Sequence, residues 1–185
     1  VKKNAQTFVD VPENAYYAPA VAWAVEKGVT EGTSATTFSP DAVCTRAQCV
    51  TFLYRAAGSP AVKSAVNPFT DVSASDYYYN AVLWAVENGI TTGTSETTFS
   101  PSESCTRAQC AAFLYRYEQS QGKGFVGEWM FQLPFTDVPA WCYESVAWCY
   151  MNGVTEGTSA TTFSPDDACT RAQIVTFLYR AAQVK

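Results

Sequence analysis

The sequence predicts an all-α fold made of three helix-loop-helix repeats, and three observations support this prediction. Four short motifs recur three times in the same order along the 185 residues. Two segments of each copy carry apolar residues at helical spacing. One pair of helices cannot bury its apolar face alone, whereas three packed pairs can. We therefore expect a single structural unit with negligible strand content.

The repeats are defined by the order of their motifs. Phe-x-Asp-Val comes first, followed by an apolar stretch that holds a tryptophan and ends in glycine. Gly-Thr-Ser-x-Thr-Thr-Phe-Ser-Pro and Cys-Thr-Arg-Ala-Gln complete each copy. The tryptophans lie 61 and then 64 residues apart, at Trp23, Trp84 and Trp148. Equivalent residues of the three repeats can therefore be compared directly.

The repeat boundaries follow from this spacing. We assign the repeats to residues 1–60, 61–120 and 121–185, with a longer join at 117–134 before the third set of motifs. This join is too apolar for a free linker, because it contains Phe125, Trp129, Met130 and Phe131. We expect it to pack onto the body of the protein.

The first helix of each repeat is predicted by its apolar period. In the first copy Ala20, Val21, Trp23 and Ala24 follow helical spacing, and Pro19 suits a first turn. A glycine stands where a left-handed C-terminal cap is expected. The three glycines are Gly28, Gly89 and Gly153.

The second helix has a stronger start signal. Thr45 and Gln48 have the spacing of a capping box, in which the threonine accepts from the third amide and the glutamine accepts from the threonine amide. Phe52 and Leu53 then supply the apolar face. The same capping pairs recur as Thr106 with Gln109 and Thr170 with Gln173.

Composition excludes several function classes. The net charge is −5 and the pI about 4.7, which argues against nucleic-acid binding and attraction to anionic membranes. No apolar run approaches the roughly 18–20 residues that cross a bilayer. Without histidine the chain has no Ser-His-Asp or Cys-His nucleophile and no His-ligated metal. We expect no enzyme activity, no catalytic residues, no cofactor and no membrane insertion.

Together the motifs resemble the S-layer homology domain family, over roughly residues 8–183. The resemblance rests on Phe-x-Asp-Val, the tryptophan helix ending in Gly-Val or Gly-Ile, the Phe-Ser-Pro loop and Thr-Arg-Ala-Gln. It implies that the repeats close into a pseudo-threefold body with a central helix bundle and grooves between repeats. It also implies noncovalent anchoring to the bacterial cell wall through a secondary cell-wall polysaccharide, often one carrying a pyruvate ketal.

The resemblance also implies a place and a partner for the chain. We expect an extracellular, monomeric module of a larger surface protein, in the cell wall or S-layer of a Gram-positive bacterium.

Two departures from the family motifs leave the identity of the sugar and its pyruvylation open. The family motif usually ends in Glu where all three copies have Gln, and the loops lack the Asp often found before their second glycine. The alternative function is a protein–protein interaction or adhesion module that uses the same grooves.

The arginines are the first candidates for ligand binding. Arg46, Arg107 and Arg171 begin the second helices, where a cation opposes the helix dipole by about 0.3–1 kcal/mol. A compensating anion is therefore expected. It is either a ligand carboxylate or phosphate, held with free helix-start amides, or a structural aspartate. The aspartates in question are Asp10, Asp71 and Asp137, and both interpretations stay open. Arg55, Arg116 and Arg180 are expected to be structural.

The candidate site also includes loop glycines, motif glutamines and aromatic rings. We expect Trp23, Trp84 and Trp148 to lie mostly in the core, and the rings near helix starts to be partly exposed. The hydroxyl-rich loops suit sugar hydroxyls, although the same residues also favour turns. The candidates are Gln48, Gln109, Gln173, Gly32, Gly93, Gly157, Tyr17, Tyr78 and Trp141. Tyr16, Tyr77, Tyr79 and Tyr143 follow without ranking.

The seven cysteines allow three disulfides. Cys44–Cys49 and Cys105–Cys110 occupy positions whose side chains normally touch around a capping residue. Cys149–Cys169 is a third candidate pair, and Cys142 would be left over. The alternative is that all seven are reduced and act as small apolar residues. We expect no metal site, because Cys-x-x-Cys does not occur.

Overall fold

The computed structural model describes residues 8–63, 66–127 and 130–185. These residues form six helices and three isolated β-bridges, with no strand among them. This confirms the all-α prediction. No helix in the described part of the chain combines the length and apolar character that a membrane span needs. The helices are α1 (Ala18–Glu26), α2 (Arg46–Ala56), α3 (Tyr79–Glu87), α4 (Arg107–Ser120), α5 (Ala140–Met151) and α6 (Arg171–Ala182).

Helices α2, α4 and α6 begin at the predicted capping boxes. The Thr45 hydroxyl accepts from the Gln48 amide at 3.1 Å, and Gln48 Oε1 accepts from the Thr45 amide at 2.9 Å. The same two bonds start α4 and α6. This reciprocal cap fixes the first residue of each helix, which in all three repeats is an arginine.

Helices α1, α3 and α5 end at the predicted glycines. The φ angles of Gly28, Gly89 and Gly153 are 73°, 69° and 70°, in the left-handed region that favours glycine. The chain then turns back so that the next residue donates to the helix, as Val29 does to the Ala24 carbonyl at 2.8 Å. Val29 is fully buried, so each cap also delivers an apolar side chain to the core.

The helices pack in a cyclic order. Helix α3 packs mainly on α2, α5 on α4, and α1 on α6, so each first helix lies against the second helix of the preceding repeat. Helices α2, α4 and α6 pack on one another in the centre. The chain therefore closes into a pseudo-threefold body around a central bundle, as the resemblance implied.

A ring of backbone hydrogen bonds marks the pseudo-threefold axis. The Cys44 amide donates to the Cys169 carbonyl at 2.9 Å, Cys105 donates to Cys44 at 2.9 Å, and Cys169 donates to Cys105 at 2.8 Å. Each bond joins two repeats, and the three bonds form a closed cycle. The repeats are thus held together just before the three central helices begin.

The second join, predicted at 117–134, starts inside α4 and then packs against α5. The indole nitrogen of Trp148 donates to the Lys123 carbonyl at 2.8 Å, and Phe125 packs on Tyr115. Met130 is fully exposed. Trp129, which the sequence assigns to the same join, lies outside the described residues.

Candidate ligand-binding grooves

Each candidate groove is built from two consecutive repeats. Arg46, the first residue of α2, donates from Nε to the Phe99 carbonyl in the loop of the next repeat at 2.9 Å. The equivalent bonds are Arg107 to Phe163 at 2.9 Å and Arg171 to Phe38 at 2.8 Å. The predicted arginines therefore lie where the second helix of one repeat meets the Phe-Ser-Pro loop of the following one.

The three guanidinium groups lie between phenylalanine rings. Arg46 Cζ is 4.9 Å from the Phe99 ring centre and 5.4 Å from that of Phe113. Arg107 and Arg171 are held in the same way. The exposed fractions of the three arginines are only 4%, 4% and 7%. Burial lowers the pKa of all three, from an ordinary value so high that they remain cations.

The aspartates of Phe-x-Asp-Val bind backbone amides and do not form close ion pairs with these arginines. Asp10 accepts from the amides of Phe38 and Ser39, both at 2.8 Å, and Asp71 and Asp137 repeat the arrangement. Between residues that the structure describes, no carboxylate lies within 4.0 Å of the three guanidiniums. The ion-pair alternative is therefore not the arrangement found.

Asp10 is nevertheless electrostatically linked to the groove. Burial acts to raise its pKa, but hydrogen bonds from the Phe38 and Ser39 amides, assisted by Arg171, lower the pKa below its ordinary value. The same two bonds hold Ser39 at a φ of 57°, which non-glycine residues rarely adopt. The aspartate thus shapes the loop that accepts the arginine bond.

The helix-start amides are not free for a ligand, so this part of the sequence-based expectation is wrong. The Arg46 amide donates to the Glu103 carbonyl at 2.8 Å, and the Ala47 amide donates to the Pro101 carbonyl at 3.1 Å. The other two central helices begin with equivalent bonds. The loop of the neighbouring repeat therefore occupies the positions that an anion would take.

The predicted glutamines and glycines have structural tasks in the same region. Gln48 Oε1 is engaged in the capping box. Gly32 has a φ of 92°, and a Cβ there would lie 2.6 Å from both the Phe8 ring and the Thr37 carbonyl. Gly93 and Gly157 are equally confined. Their part in ligand binding stays a prediction.

The most exposed aromatic rings occupy one equivalent position in the three repeats. Tyr16, Tyr77 and Trp141 each stand seven residues before the repeated tryptophan, and they are 62%, 63% and 58% exposed. The higher-ranked Tyr17 and Tyr78 are partly buried and contact these neighbours edge-on. Aligning the repeats on the tryptophan would have put Tyr16 and Tyr77 first.

Two of these exposed rings, Tyr16 and Tyr77, stand beside the starts of the central helices. Tyr77 interacts with the side chain of Thr45, the N-cap of α2. Tyr16 interacts electrostatically with Arg107 and with Cys169, which precedes α6. Burial raises the pKa of both tyrosines, so they are neutral at pH 7. Tyr16 is thus a flat, uncharged surface close to the buried cation of Arg107, whereas the cation that acts on Tyr77 is the exposed Arg55.

The three grooves differ in charge. The backbone amide of each of these arginines donates to a carbonyl in the loop of the next repeat. The residue that carries this carbonyl is acidic in two grooves, Glu103 for Arg46 and Asp167 for Arg107. For Arg171 it is Ala42. Both acidic residues interact electrostatically with their arginines. The groove of Arg171 lacks this carboxylate, and its arginine is the most exposed of the three.

The second set of arginines has a structural role. Arg55 Nη1 donates to the Val29 carbonyl at 3.4 Å, just beyond the glycine that ends α1. Arg116 and Arg180 bind the carbonyls of Ile90 and Val154 in the same way. Each bond ties the second helix of a repeat to the end of its first helix, in agreement with the structural expectation.

The seven cysteines are buried free thiols, and none of the predicted disulfides is formed. Cys110 Sγ lies 3.4 Å from Cys105 Sγ and 3.3 Å from Cys49 Sγ. The second contact joins two repeats and was not predicted. Hydrogen bonds from Cys110 and Cys49 lower the pKa of Cys105 to about 5. The staple pairs Cys44–Cys49 and Cys105–Cys110 stay predictions for the oxidised protein.

The third predicted pair, Cys149–Cys169, has no sulfur contact in the described structure. Helix α5, which carries Cys149, packs on α4, while Cys169 Sγ lies near the Thr170 carbonyl at 3.8 Å. The sequence argument assumed that the two helices of a repeat pack mainly on each other. In the structure each first helix instead packs mainly on the second helix of the preceding repeat, so the assumption does not hold.

Comparison with known proteins relates the chain to the S-layer homology domain and to segments of larger proteins. A sequence profile of the S-layer homology domain matches residues 7–48, 68–111 and 134–175. The chain is 34% identical over 98% of its length to an endoglucanase of Bacillus sp. (strain KSM-635). It is 30% identical over 65% to a surface-layer 125 kDa protein of Lysinibacillus sphaericus, and 32% over 59% to a cell surface protein of Thermoanaerobacter kivui. The chain spans only 20%, 10% and 15% of these curated relatives.

Proposed function

The chain belongs to the S-layer homology domain family, and we propose that it anchors a larger surface protein by binding secondary cell-wall polysaccharide in its inter-repeat grooves. A member of this family is a cell-wall anchoring module, located at the cell wall or cell surface. The matched region is a fifth of the endoglucanase, so that protein's catalytic domain is separate from it. We infer that this chain contributes anchoring and no catalysis.

One observation carries the proposal. The exposed rings of Tyr16 and Tyr77 stand beside the starts of central helices, and each central helix begins with a buried guanidinium that has no carboxylate within 4.0 Å among the described residues. A ring such as Tyr77 offers a flat apolar face, on which the apolar face of a sugar can stack, and a hydroxyl that can hydrogen-bond. The guanidinium supplies attraction for an acidic substituent.

The anion that fits this arrangement is the carboxylate of an acidic sugar, such as a pyruvate ketal. The arginines are too buried and the helix-start amides too occupied to enclose a large anion. A small carboxylate at the groove floor would meet one edge of the guanidinium. Arg171 is best suited, because its loop has Ala42 where the other grooves have Glu103 and Asp167.

The net charge constrains how binding occurs. An acidic protein and an acidic polymer are not steered together at long range. Affinity must therefore come from short-range stacking, hydrogen bonds and local guanidinium contacts. Three grooves on one rigid body can engage several chain ends of a polymer network, which raises the overall affinity without any new contact.

The test is co-sedimentation of the purified chain with bacterial cell walls prepared in three forms: intact, stripped of secondary polymer, and depyruvylated. The variants are Tyr16→Ala, Tyr77→Ala and Trp141→Ala, whose exposed rings can be removed without opening the core. Met130→Ala, a fully exposed residue of the second join, is the matched control. We expect stripping to abolish binding, and the ring variants to bind more weakly than Met130→Ala.

Each outcome bears on a separate part of the proposal. Binding that survives stripping of the polymer would support the alternative, a protein partner in the same grooves. Ring variants that bind as well as Met130→Ala would show that the aromatic positions are not the contact surface. Unchanged binding to depyruvylated walls would show that the ketal is not the recognised anion.

A further inference from the structure

Three cysteine sulfurs at the pseudo-threefold axis form a cluster that wall binding does not use. Cys110 Sγ lies 3.3 Å from Cys49 Sγ and 3.4 Å from Cys105 Sγ, and all three sulfurs lie within 4.8 Å of one another. Each residue is at most 1% exposed. We refer to Cys49, Cys105 and Cys110 as the axial cluster.

The fold creates this cluster by bringing two repeats together. Cys49 and Cys110 occupy the same position in the first turns of α2 and α4, which pack on each other in the bundle. Cys105 belongs to the backbone ring just before α4. In the third repeat the position of Cys49 is taken by Ile174. Two of the three equivalent first-turn positions therefore carry sulfur, and the third carries an apolar side chain. The thiols of Cys44 and Cys169, in the backbone ring, neighbour Cys49 and Cys110 but lie outside the group of three.

The spacing of the sulfurs matches a small coordination sphere. With a metal–sulfur bond of about 2.3 Å, three sulfurs around one ion are about 4.0 Å apart. Two observed separations, 3.3 and 3.4 Å, are about 0.6–0.7 Å shorter than this, so the sulfurs of side chains that already face one another must move apart by that amount to take an ion. Soft thiolate ligands select soft ions, and structural zinc sites almost always have four ligands. Three sulfurs in a closed apolar site therefore favour an ion that is stable with three ligands.

Two arginines beside the cluster favour the thiolate form of its cysteines. Arg46 interacts electrostatically with all three sulfurs, and Arg107 interacts with Cys110. The same two arginines also interact with the carboxylates of Glu103 and Asp167. The net charge around the cluster therefore does not select between a monovalent and a divalent ion, and the choice of ion rests on the number and softness of the ligands.

We propose that Cys49, Cys105 and Cys110 form a three-coordinate site for a soft monovalent cation of the Cu(I) or Ag(I) class. As each sulfur–metal bond forms, any proton on that thiol leaves for solvent, and the oxidation state of the metal does not change. This reverses the expectation of no metal site. The Cys-x-x-Cys rule fails here because the ligands come from two repeats.

The experiment uses the full chain with reduced cysteines. Ag(I), and Cu(I) held in a competing chelator, are titrated in turn, and stoichiometry is read by native mass spectrometry and by thiolate-to-metal ultraviolet absorption. We expect one ion per chain. Cys49→Ile and Cys110→Ile copy the natural Ile174. Each should weaken binding by more than the roughly 10–100-fold that loss of an outer partner costs.

Two control variants keep the test decisive. Cys149→Ala copies the alanine of the other two repeats, and Cys142→Ala removes a cysteine outside the cluster; both should bind one ion as the wild type does. Equal binding by Cys49→Ile and Cys149→Ala would overturn the proposal. So would tighter binding of Zn²⁺ than of Ag(I). Finding Cys44–Cys49 or Cys105–Cys110 disulfides in protein purified without reductant would favour the disulfide prediction for these same sulfurs and would overturn the metal site. Circular dichroism of each variant confirms that it is folded.

Discussion

Arg171, the first residue of the last helix, donates from Nε to the carbonyl of Phe38, 133 residues earlier, at 2.8 Å. This bond joins the third repeat to the first and so closes the cycle that the bonds of Arg46 and Arg107 begin. Each of these arginines therefore has two tasks. It holds the loop of the neighbouring repeat, and it places a buried positive charge where two repeats meet.

The first prediction separates the closing arginine from an arginine at the other end of the same helix. Arg171→Met should lower the free energy of unfolding by about 2–4 kcal/mol, because it leaves the buried Phe38 carbonyl unpaired and removes a cation from between two rings. Arg180→Met should cost less than about 1 kcal/mol, since its bond to Val154 is long, at 3.3 Å, and partly exposed. Urea unfolding measures both.

The same pair of variants is also the folding control for the wall-binding assay. A loss of wall binding in Arg171→Met is meaningful only at a temperature where the variant is folded. If the two variants unfold at the same urea concentration, the Arg171–Phe38 bond does not hold the ring together.

A second prediction concerns two glycines with similar φ angles and different surroundings. Gly32→Ala should destabilise the fold by about 3 kcal/mol or more, because the new Cβ would meet the Phe8 ring and the Thr37 carbonyl at 2.6 Å. Gly28→Ala should cost only about 1–2 kcal/mol of backbone strain, since nothing lies within 4 Å of its Cβ position. Thermal unfolding followed by circular dichroism compares them. Equal losses would mean that the loop yields and that strain alone matters.

Local signals account for what the sequence predicted correctly. The capping box of Thr45 and Gln48 and the caps at glycines such as Gly28 depend on residues a few positions apart, so each can be recognised in isolation. Each such motif occurs in all three repeats, so every prediction rests on three copies of the same signal. For these reasons the helices and the helix starts agree with the structure.

Partners in other repeats could not be found in this way. The carbonyl that binds Arg46 belongs to Phe99, 53 residues away, and Cys49 meets Cys110 across the axis. Both contacts follow from the cyclic order in which helices of different repeats pack, and periodicity within one repeat does not contain that order. The occupied helix-start amides were missed for the same reason.

A third prediction follows from the lowered pKa of Asp10. A carboxyl whose pKa is lower in the folded state stabilises the fold fully above its unfolded pKa of about 3.9. This contribution is lost as the pH falls through the folded value. Asp10→Asn keeps one acceptor for the two amides and loses the charge, so it should cost about 1 kcal/mol at pH 7. Its stability should also fall less steeply than that of the wild type below about pH 4.

The measurement for Asp10 is the free energy of unfolding in urea from about pH 2 to about pH 7, a range that spans the titration of a carboxyl group. Glu13→Gln, an exposed carboxylate on the same segment, is the control and should follow the wild type. Parallel pH curves for Asp10→Asn and the wild type would show that the two amide bonds do not favour the charged form.

The last prediction tests whether the three grooves differ in their affinity for the acidic sugar. If the Arg171 groove binds the acidic sugar best because its loop has Ala42, then Ala42→Glu should weaken wall binding by roughly threefold at low salt, and less at high salt. Glu103→Ala and Asp167→Ala remove the equivalent carboxylates and should strengthen it. Met130→Glu adds the same charge to the second join and controls for net charge. If Ala42→Glu and Met130→Glu weaken binding equally, overall repulsion is the cause, and the three grooves are electrostatically equivalent for this ligand.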